Sequence, residues 1–259
     1  INGKKASDFI LAPGTSQYNA RLQYQTYDVS GLLNVGKNEI LVTVGDGWWR
    51  GDTGYGGVRN SFGIDLAILC QLEIDRKTVL ISDKSWSASQ EGPLGLNDLM
   101  QGECYDARKE NICEWHPVTE KQFGYENLVC SNSFDVVEKE NYTGKQIHTP
   151  NGEVVIDFGQ NIAGYVKFGF YAQAGQCITL YHGECLDQNG NFTQENFQAP
   201  EHRVEQCVKY ICKEGWNEYK PEKSIFGFRY IKAITDVKVT EKNFTAIAVY
   251  SDMPQTGKF

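Results

Sequence analysis

Along most of this chain apolar residues recur at every second position, a period that suits a pleated strand with one buried face. Ile40, Val42 and Val44 fall on one face, and Leu66, Ile68, Cys70, Leu72 and Ile74 make a longer strand with Gln71, Glu73 and Asp75 turned outward at its end. Further runs follow at Val154 to Phe158, Val166 to Phe170, Cys177 to His182, Val204 to Cys212, Phe228 to Ile234, Asp236 to Val239 and Phe244 to Tyr250. Each is bounded by Gly, Asn or Asp, and Asn151-Gly152 and Asn189-Gly190 are hairpin dipeptides. No stretch keeps helical spacing over three turns; the best, Asp28 to Leu33, is one turn long. The expected fold is all-β, made of antiparallel β-sandwiches of jelly-roll type rather than a parallel α/β sheet.

At roughly 150 residues per domain, the 259 residues allow one large core or two smaller ones. The least strand-like stretch runs from about Asp106 to Gln146, where charged clusters alternate with Trp115, Phe123, Tyr125 and Phe134. It is expected to wrap a first sandwich (residues 1–140) and then cross to a second (141–250), with 251–259 as a linker holding Pro254 and Gly257. The opening Ile1-Asn2-Gly3 reads as a hairpin turn whose first strand lies upstream, so the chain reads as a piece of a longer polypeptide.

A formal net charge of -8 argues against a nucleic-acid partner or an acidic membrane surface, which call for basic patches. No apolar run reaches the roughly 18 residues of a membrane helix. The eight cysteines show no Cys-x-x-Cys and no regular spacing, so zinc is not expected, and free, mostly buried thiols are. Asn141, Asn191 and Asn243 each open a glycosylation triplet, a pattern that matters only in a eukaryotic secretory setting. These features leave the compartment open, with a bacterial cytoplasmic location as the working expectation.

Phosphate loops, nucleophile elbows and His-Glu-x-x-His are absent from the sequence. His182 and Glu184 share a strand face and read as an exposed polar pair; Asp157, at the start of Asp157-Phe158-Gly159-Gln160-Asn161, reads as a turn-forming acid. The densest chemistry lies in Gly45-Asp46-Gly47-Trp48-Trp49-Arg50-Gly51-Asp52 and the following Gly54-Tyr55-Gly56-Gly57. Indole and phenol faces stack on sugar C–H groups while carboxylates and guanidinium bond hydroxyls. Asp46, Trp48, Trp49, Arg50, Asp52 and Tyr55 are therefore candidate carbohydrate contacts, against the alternative that one Trp plugs the end of a sandwich. Asn97, Asp98 and Glu103, on a second polar loop, join them. The two loops offer hard oxygen ligands of the kind calcium takes, Asp46 and Asn97 first, without the spacing of a single-loop calcium motif.

Several segments in order carry a family resemblance: Leu11-Ala12-Pro13-Gly14, Tyr24-Gln25-Thr26-Tyr27-Asp28-Val29, Gly45-Asp46-Gly47-Trp48 and Gly102-Glu103-Cys104-Tyr105-Asp106-Ala107-Arg108. The second half adds Pro150-Asn151-Gly152-Glu153, Asp157 to Asn161, His182-Gly183-Glu184-Cys185-Leu186-Asp187 and Gly227-Phe228-Arg229-Tyr230. The chain resembles the N-terminal accessory region of bacterial alpha-L-rhamnosidases. That resemblance implies two β-sandwiches, the second concanavalin-like, ahead of an (α/α)6 barrel that hydrolyses terminal alpha-L-rhamnosides with inversion. The acid and base belong to that barrel, so no catalytic residue is assigned here. L-rhamnose or rhamnose-containing glycans and the chain's own catalytic domain are the implied partners, and some relatives bind rhamnose through calcium in the first sandwich. An independent lectin-like module and a purely structural spacer remain as alternatives.

Overall fold

The computed structural model describes residues 1–54 and 57–258. One ten-stranded sheet dominates it: β1 (Leu94–Asp98), β2 (Gly102–Asp106), β3 (Val136–Thr143), β4 (Lys145–His148), β5 (Val154–Ala172), β6 (Cys177–Gly183), β7 (Cys207–Ile211), β8 (Gly215–Tyr219), β9 (Phe226–Thr235) and β10 (Phe244–Ser251). Their order is β1-β2-β7-β6-β9-β5-β10-β3, with β4 and β8 also paired to β5. The 19-residue β5 ties the layers together, pairing with β4 and β9 near its start, β10 in its middle and β8 at its end. Its alternation explains this: Ile156, Phe158, Val166, Phe168 and Phe170 enter the main core, while Val155 and Tyr165 turn to smaller clusters. The fold is all-β, with a single α-helical turn among the described residues, α1 (Gly47–Arg50). Among the described residues no helix is long and apolar enough to cross a membrane.

The core is unevenly shared. Among the described residues, apart from Ala107, every buried apolar residue lies at Val155 or beyond. Residues before 107 join the large sheet through β1 and β2, and β2 runs parallel to β7 with Gly102 opposite Cys207. Gly102 has φ +112°, and a Cβ there would stand 1.8 Å from the Cys207 carbonyl oxygen, so only glycine permits this approach. Three two-stranded pairings complete the described ladders: Leu22–Tyr24 with Leu128–Cys130, Gln71–Ile74 with Lys77–Ile81, and Ser87–Ala88 with His116–Pro117.

The second half follows most of its sequence pattern; the first departs from it more widely. Ile40 to Val44 finds no ladder partner among the described residues, and Val42 and Val44 stay exposed. Only the Gln71–Ile74 end of the long run from Leu66 is a strand, because that part alone is closed by a tight turn onto Lys77–Ile81. Asp236 to Val239 forms no strand, since Asp236 instead accepts the Cys177 amide and Val237 N bonds Thr235 Oγ1. The stretch 106–146, expected to be least strand-like, contains the eight-residue β3 on the edge of the large sheet, and position 140 falls inside it. The thiols are free, but only Cys207 and Cys212 are buried, and Cys113 and Cys130 are exposed. His182 is not an exposed partner of Glu184. It is fully buried, its ring stacked 4.3 Å from that of Phe226 and edge-on to Phe228. Asp157 accepts the Gly159 amide as a turn acid does and also takes a two-point fork from Arg229 at 2.8 Å.

Candidate functional site

The loop from Gly45 to Asp52 folds as one helical turn, Arg50 N bonding Asp46 O at 3.0 Å and Gly51 N bonding Gly47 O at 3.2 Å. Successive residues on such a turn point about 100° apart, so the adjacent indoles part company. Trp49 turns inward: its Nε1 donates to the Asp65 carbonyl at 3.0 Å, and its ring meets Tyr18 edge-on at 5.4 Å and Phe62 at 6.3 Å. Trp48 stays on the surface, 36% exposed. The two rings therefore differ in environment, Trp49 packed against Tyr18 and Phe62 and Trp48 open to water.

Beside α1 lies a charge network that is acidic within and basic at its rim. Asp46 and Asp98 are buried, and the Arg59 guanidinium bridges them, 2.7 Å from Asp46 Oδ2 and 2.6 Å from Asp98 Oδ2. Arg50 closes on Asp46 Oδ1 at 2.6 Å. Asp98 also accepts the amides of Asp52, Met100 and Gln101, so it caps the turn between β1 and β2. Asn97 Oδ1 accepts the Asp46 amide at 2.7 Å, joining the two loops. Burial opposes the charge on Arg59, but the hydrogen bonds and negative charges of Asp46 and Asp98 hold it above the usual arginine range. Asp52, also buried, takes Gln101 Nε2 at 2.7 Å and lies 3.0 Å from His202 Nε2.

Glu103 belongs to a different environment. Its carboxylate accepts Tyr219 Oη and the Lys223 amide at 2.5 Å and Ser224 Oγ at 3.0 Å, which fixes the loop between β8 and β9. Burial pushes its pKa up, against the pull of those donors. Asp46, Arg50, Asp52, Asn97 and Asp98 are thus drawn together, Trp48 is exposed on the same turn, Trp49 and Glu103 are used internally, and Tyr55 lies outside the described residues. Arg59, Gln101 and His202 were not singled out by the sequence. Arg59 follows the glycine loop by two positions, but His202 comes from a distant strap that no local pattern links to this loop.

The donor set bears on a metal. Calcium takes six to eight oxygens, whereas both Asp46 oxygens already face guanidinium groups and Asn97 Oδ1 faces a backbone N–H. As arranged, these residues do not fit a calcium ion, because Arg59 holds the cationic position. A separate surface group, Glu91, Glu114 and His116, brings its ligand atoms within 4.8 Å of one another, a spacing that could hold a divalent ion.

The family model described as the alpha-L-rhamnosidase N-terminal domain matches residues 1–146, and that of the bacterial alpha-L-rhamnosidase concanavalin-like domain matches residues 147–250. The chain belongs to the alpha-L-rhamnosidase family. It is 29% identical over its whole length to an alpha-L-rhamnosidase of Formosa agariphila and 30% to one of Streptomyces avermitilis, covering 30% and 26% of those proteins. Among solved structures, the alpha-L-rhamnosidase of Aspergillus terreus superposes with a TM-score of 0.86 at 30% identity, over 97% of this chain and 31% of that one. The Streptomyces avermitilis alpha-L-rhamnosidase complexed with L-rhamnose also gives 0.86, at 28% identity, over 98% and 26%. The chain spans less than a third of the length of these relatives.

Proposed function

We propose that this chain is an accessory region of an alpha-L-rhamnosidase, which binds a rhamnosyl unit at the Trp48 face and holds the catalytic part in place. The observation that carries the sugar contact is the exposed Trp48 ring on the same short turn as Asp46 and Arg50, whose network with Arg59 and Asp98 leaves two half-exposed guanidiniums. The methyl and C–H face of rhamnose suits an indole, and its vicinal hydroxyls suit N–H donors fixed by carboxylates. In this proposal Arg59 supplies the positive charge that a calcium ion would bring, so binding needs no metal. Residues 1–140 and 141–250 act as two sandwiches, and 251–259 lead toward an inverting (α/α)6 barrel.

A positioning role is supported by Gln101, which bonds both Asp52 and the Glu205 amide of the 199–206 strap, and by Glu103, which holds the 219–224 loop. A turnover assay tests the accessory assignment. The purified chain is expected to release no aryl alcohol from an aryl alpha-L-rhamnoside; turnover abolished by substituting one of its own acids would overturn it.

A further inference from the structure

A groove of about 360 Å³, lined by no residue of the α1 loop, opens between β3, β5 and β10. Two irregularities in the ladders create it. On β3 the register against β10 slips between Ile247 and Val249, where Asn141 pairs with Ile247 but Glu138 with Val249, so Lys139 and Glu140 together face Ala248. On β5 the register against β9 breaks between Asp157 and Ile162, which lifts Gln160 and Asn161 out of the ladder. Such bulges bend the strand and re-aim its side chains. Buried Ala248 and Ile162, which packs on the main core, remain as the floor, and the walls carry Tyr142, Tyr250, Glu140 and the two amides.

The chemistry of the walls is selective. Tyr250 is 46% exposed, its hydroxyl donates to Glu140 Oε1 at 2.8 Å, and the Lys139 ammonium lies 5.5 Å from its ring centroid. Tyr142 packs against the main core at the base. Gln160 Nε2 bonds the Asn161 carbonyl, and the Asn161 side chain has no hydrogen-bond partner among the described residues. Aromatic walls favour a ligand with C–H faces; amides and a carboxylate, donors and acceptors together, favour hydroxyl groups, and with Glu140 and Lys139 both at Tyr250 the mouth favours neither an anion nor a cation. The volume lies at the lower end of the roughly 300–1,000 Å³ of small-molecule sites. A neutral pyranose meets all of these conditions, whereas an apolar peptide would leave the amides and Glu140 dry.

We infer that the Tyr142–Tyr250 groove is a second saccharide subsite, taking a neutral sugar residue of a glycan. The inference draws on the carbohydrate role proposed above but not on the Trp48 face, so the two fail separately. The test is an NMR titration of the isotope-labelled chain with L-rhamnose and, in parallel, D-glucose, each to tens of millimolar. Backbone amides of Asn161, Ala248 and Tyr250 are expected to shift with at least one sugar, in the native chain and equally in Trp48→Ala. Tyr250→Ala should weaken that response about tenfold or more, and Tyr250→Phe, which keeps the ring, should weaken it less. Tyr250 is exposed, so unchanged spectra elsewhere will show that the variants fold. No shift at these three amides with either sugar, or equal shifts in Tyr250→Ala, would overturn the assignment; shifts confined to the α1 loop would do the same while leaving the Trp48 proposal standing.

Discussion

Asp52 Oδ2 and His202 Nε2 stand 3.0 Å apart with both side chains largely shielded from water, and they join the loop after α1 to the strap that precedes β7. Gln101 reinforces the same junction, giving Nε2 to Asp52 and accepting the Glu205 amide through Oε1. The strap is held from within by the two-way bond between Gln198 and Val204 and by Gln194, which donates to His182 O and Glu205 O.

Gly57 is the floor on which His202 rests. A Cβ at this position would fall 2.2 Å from the imidazole, on a backbone with φ +64°. Gly57→Ala is expected to destabilise the chain by about 2–3 kcal/mol, from positive-φ strain plus displacement of the ring. Combining it with His202→Ala should recover the displacement share in urea unfolding. Equal costs of Gly57→Ala in both backgrounds would show that the ring contact is not involved.

Arg59 should matter more to stability than an ordinary surface arginine. Arg59→Met leaves Asp98 buried without its cation, while Asp46 keeps Arg50. The expected cost is about 2 kcal/mol, below that of a fully enclosed pair because the Arg59 side chain is 42% exposed. Asp98→Asn added to Arg59→Met should cost less than the sum of the two single changes, and simple additivity in a double-mutant cycle would contradict the bridging role.

The two tryptophans should separate in their effects. Trp49→Ala removes a ring packed on Tyr18 and Phe62 and should cost about 2 kcal/mol or more, whereas the exposed Trp48→Ala should change stability by about 0.5 kcal/mol or less. Thermal unfolding of the two variants checks this; a larger loss for Trp48→Ala would mean that its ring is structural.

His182 gives the fold an acid sensitivity. Full burial depresses its pKa from 6.5 to about 4, opposed by its bond to Gln206 O. As pH falls below about 6.5 the unfolded chain takes up a proton that the folded chain refuses. The stabilisation is complete above that value and is lost as pH drops toward 4, by on the order of 3 kcal/mol at about 1.4 kcal/mol per unit. His182→Gln should flatten this part of the stability profile between pH 7 and 4.5. An unchanged slope would place the sensitivity elsewhere.

The second half was legible because its alternation is enforced from both sides. Val155, Ile156, Phe158, Val166 and Phe168 all lie in strands with partners, so a period of two translated directly into burial. Ile40, Val42 and Val44 show the same period without a ladder, since pairing depends on a distant segment and not on the run itself. The site was half legible. Glycine, acid and indole density marked the α1 loop, but the fate of each acid depended on partners far along the chain: Arg59 for Asp98, His202 for Asp52 and Tyr219 for Glu103. Likewise His182 looked exposed by strand parity because the Phe226 and Phe228 rings that cover it come from another strand.

Calorimetric titration of L-rhamnose into the native chain and into Trp48→Ala, in a chelator and again in calcium, tests the central claim most directly. Saturable heat in the native chain, with affinity roughly in the micromolar to millimolar range, unchanged by chelator and absent from Trp48→Ala, is the expected result. No heat in the native chain under either condition would contradict sugar binding at the Trp48 face, and heat that requires calcium would contradict the role given to Arg59.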